Sequence, residues 1–134
     1  MNKKKDLDRL RKEIDQINED ILELLNKRAA VAIEVGKVKK KAKSAFHVLD
    51  REHKIYQKLA RINKGPFPNK AIRPVFKEII SASLSLEHQL QVAYLGPEAT
   101  FCQIAAIQQF GQAATFIQGR SLRDIFTMVE RGDA

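Results

Sequence analysis

Leu7, Leu10, Ile14, Ile17, Ile21, Leu24, Val31, Val35 and Val38 follow a 3-4 spacing, and the one slot the series skips holds Arg28. With no proline between Asp6 and Lys43, this seam commits the segment to a single long helix capped by Asp6. About 37 residues at 1.5 Å each reach about 55 Å, too far for one small domain to bury. A seam of that length calls for a partner helix of similar length, so a dimer is expected. The guanidinium in the seam adds a second constraint. Left unpaired it would cost several kcal/mol, on the order of a small domain's whole stability, so an anionic group must meet Arg28.

Two further helical stripes carry the same kind of interruption. After a break over Ser44–Leu49, Asp50 is placed to cap a helix through about Ile62, whose stripe reads Val48, Glu52, Ile55, Leu59, Ile62. The turn Asn63–Asn69 leads to a third helix ending near Leu90, with Pro74 requiring a start near Arg73 or an irregular first turn. Its stripe reads Ile72, Phe76, Ile79, Ser83, Leu86, Leu90, with Glu87 one turn beyond Ser83. Any single polar break is accommodated by internal pairing, for instance Arg28 with Glu52. A cation, a carboxylate and a hydroxyl facing one interior also describe a polar pocket in an apolar bundle, and both readings stand at this point.

Helical spacing separates the remaining cations. Lys39 lies eleven residues beyond Arg28, about 20° away in azimuth and about 16 Å along the axis, so the two can grip opposite ends of one small anion. Arg11 lies seventeen residues before Arg28, about 26 Å away and turned aside. An antiparallel partner helix could bring Arg11 to the same site.

Charge divides the 134 residues unevenly. Residues 1–90 carry 21 Lys and Arg against 12 Asp and Glu, while residues 91–134 carry 3 against 4, so two segments of different character join near Gln89–Gln91. A pI near 9.7 suits nucleic acid, an acidic membrane surface or a small anion. The run Lys37, Lys39, Lys40, Lys41, Lys43 has no interleaved aromatics, and the chain holds no Trp and only Tyr56 and Tyr94, which weakens the nucleic-acid reading. A structural helical adaptor is the other alternative to an enzyme. No apolar leader or 18-residue apolar run is present, so a soluble cytoplasmic protein with no membrane partner is expected. One cysteine and three scattered histidines argue against a disulfide or a structural metal.

The segment LRKEIDQINEDILELLNKRAAVAIEVGKVKKK, followed by VLDRE and VFKEIISASLSLE, resembles the all-helical class of chorismate mutase across residues 5–90. The likeness includes the polar breaks as well as the apolar pattern. It implies an intertwined helical dimer that rearranges chorismate to prephenate without metal or cofactor, each site borrowing an arginine from the partner chain. Carried onto this sequence, Arg28 and the partner's Arg11 would hold the two substrate carboxylates. Lys39 would contact the ether oxygen and a carboxylate, Glu52 the ring hydroxyl, and Ser83 a carboxylate, with Arg51 supporting the network. Glu87 stands where the family has Gln or Glu near the ether oxygen. It helps there only as a donor, hence protonated, so activity is expected to fall as pH rises. Val48 stands where some members have an acid that helps hold the hydroxyl.

VAYLGPEATFCQIAAIQQFG reads as strand, turn and helix, the helix capped by Thr100, and TFIQGRSLRDIFTMVERGDA as a second strand and helix. This resembles the start of a prephenate dehydratase domain, with Ala99 in place of the usual Gly and Cys102 where a small hydroxyl residue is common. The resemblance implies the N-terminal part of a bifunctional protein of phenylalanine biosynthesis. The downstream Thr-Arg-Asp motif is absent, so no dehydratase activity is expected from these residues. The expected architecture is mainly α, with a three-helix mutase domain at 1–90 and an incomplete βαβα dehydratase segment at 91–134.

Overall fold

The computed structural model describes residues 2–42 and 49–134. The expected end of the first helix at Lys43, the break at 44–48 and the stripe position Val48 lie outside the described residues. Helix α1 spans Lys3–Ala42, α2 Leu49–Ile62 and α3 Asn69–Glu87. Then come strand β1 (Gln91–Leu95), helix α4 (Phe101–Phe110), strand β2 (Thr115–Gly119) and helix α5 (Leu122–Arg131). The expected three helices followed by a βαβα segment are all present. No described helix is long and apolar enough to cross a membrane.

Helix α1 begins three residues before Asp6, which therefore lies in its first turn instead of capping it. There its carboxylate still complements the helix dipole. Asp50 is likewise inside the first turn of α2, because that helix already includes Leu49. The larger correction concerns α3, which starts at Asn69 and carries Pro74 within it. Pro74, sixth in the helix, lies in its second turn: it has no N–H to give the Lys70 carbonyl, and the helix runs on through it with that one bond missing. The helix ends at Glu87, leaving Leu90 outside it.

Between α2 and α3, the Asn63 side-chain amide donates to Phe67 O at 2.7 Å and to Asn69 Oδ1 at 2.6 Å, while its oxygen accepts from Gly65 N at 3.0 Å. These bonds close an antiparallel helical hairpin that packs on the C-terminal half of α1. The N-terminal half of α1 extends free of the hairpin. Every apolar residue of the α1 seam is exposed in the single chain, from 39% at Val35 to 66% at Val38.

Strands β1 and β2 pair in parallel, Gln91 opposite Thr115 through Leu95 opposite Gly119, with α4 as the crossover. Helix α5 has a reciprocal cap: the Asp124 amide donates to Ser121 Oγ at 3.1 Å, and the Asp124 carboxylate accepts from Arg120 N at 3.2 Å. Thr100 occupies the N-cap position of α4 but makes no side-chain cap bond. Its hydroxyl turns back to Leu95 O at 3.4 Å. Ala99, at φ +60°, adopts the left-handed backbone that favours the Gly usual at this turn.

Helix α3 lies between the two parts. One side faces α1 and α2, and the other meets the end of α4, so Ile72, Lys77, Ile80, Ser81, Ser83 and Leu84 are all buried. The single stripe expected from sequence is too narrow for a helix covered on two sides. Leu86, which that stripe includes, is 51% exposed.

Candidate active site

Arg28 occupies its seam slot on α1 and points at α3, where its Nη1 donates to Ser83 Oγ at 2.6 Å. Ser83 donates in turn to the Ile79 carbonyl at 2.8 Å, a common use of a helical serine that leaves its hydroxyl oxygen free to accept. About three turns further along α1, Lys39 Nζ lies 3.1 Å from Glu87 Oε2, with the Glu87 side chain only 10% exposed. Glu52, buried at the start of α2, takes Lys77 Nζ on its Oε2 at 2.9 Å. Of the internal pairings left open by the sequence, Arg28 with Glu52 is not the one formed: Arg28 meets Ser83 and Glu52 meets Lys77, which projects from the α3 face against the first turn of α2.

These groups, Lys77 apart, line one cavity of about 420 Å³. Arg28, Lys39, Arg51, Glu52, Ser83 and Glu87 supply its polar wall, and Val31, Val35, Ile55, Ile80 and Leu84 its apolar one. Six of the seven site residues expected from sequence thus share a single pocket. The seventh, Arg11, does not reach it within one chain. It lies on the outlying half of α1 with its side chain 67% exposed, 4.0 Å from Asp8 Oδ1. Lys77 was not expected at all. Its partners lie 25 and 32 residues away, and a lysine preceding Glu78 reads in sequence as a solvated surface position.

The balance of charge fits an anion. Each of the two carboxylates in the wall already faces an ammonium, Glu52 that of Lys77 and Glu87 that of Lys39. Two guanidiniums, the half-buried Arg28 and the exposed Arg51, stand in excess of these pairs. Beneath Glu52, the Tyr56 ring lies under Lys77 and Arg73, with centroid distances of 5.6 and 5.4 Å. Burial pushes its phenol above the ordinary value against the pull of Lys77, so Tyr56 stays neutral.

Gly36 sets the spacing between α1 and α3. A Cβ there would stand 2.9 Å from Glu87 Cα and 3.1 Å from its Cβ. Gly36→Ala gains up to about 1 kcal/mol of helix propensity but costs about 1–3 kcal/mol in overpacking, because backbone must yield. A net fall in Tm of several degrees is expected in a thermal melt. An unchanged or higher Tm would contradict the close approach.

Residues 10–88 match the family model for chorismate mutase type II. The bifunctional chorismate mutase/prephenate dehydratase of Aquifex aeolicus (strain VF5) is 48% identical over 129 residues, covering 93% of this chain and 36% of that protein. The bifunctional enzyme of Neisseria gonorrhoeae (strain FA 1090) is 39% identical over 124 residues, covering 92% and 34%. The chain therefore spans about a third of the length of the curated relatives it matches. Among solved structures, chorismate mutase (form II) from Thermus thermophilus aligns with a TM-score of 0.60 at 38% identity, covering 62% of this chain and 94% of that one. With its pocket-lining residues inside the matched segment, the chain belongs to the chorismate mutase type II family.

Proposed function

We propose that residues 1–90 form a chorismate mutase domain that rearranges chorismate to prephenate, acting as a homodimer, and that 91–134 is the beginning of a dehydratase domain. The observation that carries this reading is the pocket in which α1, α2 and α3 together present Arg28, Lys39, Glu52, Ser83 and Glu87. The reaction is a unimolecular Claisen rearrangement: one C–O bond breaks, one C–C bond forms, and no proton or electron is exchanged with the protein. The pocket therefore has two tasks, to hold the compact reactive conformer and to stabilise negative charge developing on the ether oxygen.

Arg28, already oriented by Ser83, serves the first task by binding one substrate carboxylate. Arg11 from the partner chain binds the other. The exposed seam supports this arrangement, because burying it against a second copy removes its apolar residues from water and carries Arg11 toward the partner's pocket. Glu52 accepts from the ring hydroxyl. Lys39 donates to the ether oxygen, and Glu87 acts beside it. The assay that tests the whole reading follows loss of chorismate and appearance of prephenate with the purified chain; no turnover above the uncatalysed rate refutes it.

Glu87 and Lys39 are paired before substrate arrives: as a carboxylate 3.1 Å from Lys39 Nζ, Glu87 competes with substrate for that ammonium. Glu87→Gln removes this competition and keeps an N–H that can donate to the ether oxygen, so its kcat/KM at neutral pH is expected to exceed wild type by about tenfold. A kcat/KM equal to or below that of wild type would rule out this role.

A further inference from the structure

Lys77 stands where the two covered sides of α3 meet. Its side chain is 9% exposed, and its ammonium donates to Glu52 Oε2 at 2.9 Å on the pocket side and to the Gln109 carbonyl at 2.7 Å on the other. Gln109 belongs to the last turn of α4, where carbonyls lack intrahelical donors and carry the negative end of the helix dipole. Neighbouring residues of α3 hold the same chain segment. Ser81 donates to Phe110 O at 2.8 Å and accepts from Ala113 N at 3.3 Å, and Glu78 accepts from Gln112 N at 3.2 Å. Gly111 lies among these bonds at φ +75°, where a Cβ would come 2.3 Å from Ser81 Cβ. A buried ammonium with two acceptors fixed by different elements cannot shift toward one without lengthening its bond to the other.

We infer that Lys77 is a positioning residue through which the docked end of α4 holds the Glu52 carboxylate in place within the pocket. The inference rests on the proposed role of Glu52 as acceptor of the substrate hydroxyl. When residues 109–113 are docked, Lys77 is tied to α4 and fixes one oxygen of Glu52. When they are displaced, that tie is lost and the orientation of the carboxylate loosens with it. The coupling is reciprocal, so a ligand that orders Glu52 also tightens the α4 contact. Its effect falls on substrate binding, because Lys39 and Glu87, at the reacting bond, are held by α1 and the end of α3 instead.

Gly111→Ala tests this without altering any residue that lines the pocket. In the 134-residue chain it is expected to raise KM for chorismate at least about fivefold with kcat within about twofold, the signature of lost binding held in common by ground and transition states. Lys77→Met is expected to raise KM at least as much, and adding Gly111→Ala to it to add less than about twofold, since both changes break one route. The side-chain carboxyl carbon of Glu52, observed by NMR, is expected to shift in Gly111→Ala, and the amides of 111–113 to exchange faster in Lys77→Met. An unshifted Glu52 signal and an unchanged KM in Gly111→Ala, with faster exchange at 111–113 showing that docking is weakened, would overturn the coupling. If the wild-type chain does not turn over chorismate, the proposed function falls and the Glu52 signal alone decides: a shift supports the coupling, and no shift overturns it. Should Gly111→Ala fail to fold, Ser81→Ala, which removes only the bonds to Phe110 and Ala113, takes its place in each comparison.

Discussion

Arg28→Ala is expected to lower kcat/KM for chorismate by about a thousandfold while leaving the helical circular dichroism spectrum unchanged. The guanidinium is the cation that α1 carries into the pocket at a seam position, and it is oriented before substrate arrives by its 2.6 Å bond to Ser83. Losing a charge-assisted, pre-oriented contact to a carboxylate in a partly desolvated site costs on the order of 4 kcal/mol of transition-state stabilisation. The fold has little to lose from the same change. Ser83 keeps its bond to Ile79 O, and truncation removes a charge from an otherwise apolar seam. Arg28→Lys is expected to fall between, about ten- to a hundredfold down, because an ammonium keeps the charge without the two-pronged geometry. A purely structural Arg28 would give the reverse pattern, with Tm falling steeply and kcat/KM per folded molecule unchanged.

How much of this was legible in sequence depends on how local each determinant is. The α1 seam, the polar breaks at Arg28, Glu52 and Ser83, and the spacing of Lys39 follow from a 3.6-residue period that can be counted, whereas Arg51 came only from the family resemblance; all five line the one cavity, with Glu87. The second segment was legible for the same reason, since its strands and helices are separated by turn residues such as Gly96, Pro97 and Gly111. Element ends were less so. Asp6 and Asp50 are good caps by residue type, yet helices α1 and α2 begin earlier, because a carboxylate in the first turn meets the dipole almost as well as one at the cap. The face of α3 was misjudged because a stripe analysis assumes one covered side. Lys77 and Ser81 are buried by residues 109–113, which no count within α3 can anticipate. The partner of Glu52 was hidden for the same reason: a pairing across 25 residues depends on how two helices dock.

The dimer is open to a test that rests on stoichiometry. Arg11→Ala and Arg28→Ala are each expected to be nearly inactive, because every site in the proposed homodimer of either variant lacks one of the two arginines proposed to hold the substrate carboxylates. Co-refolded in equal amounts, they are expected to recover about a quarter of wild-type activity. Random pairing makes about half of the dimers mixed, and in each mixed dimer one site combines an intact Arg28 from one chain with an intact Arg11 from the other, while the second site lacks both. The geometry demands this result if Arg11 acts in trans. Within one chain Arg11 lies about 26 Å from Arg28 along a continuous helix, and no rotamer spans that distance. Recovery also has to vanish when the seam is broken. Ile17→Glu, placed in both variants, puts a carboxylate at an apolar seam position in each chain, where pairing with a second copy would bury it without a compensating charge. The mixture is then expected to remain inactive and to sediment as a monomer. Activity that persists in the Arg11→Ala homodimer, or a mixture no more active than its parts while dimers are present, would remove Arg11 from the site and leave Arg28 and Arg51 to hold the substrate without a partner chain.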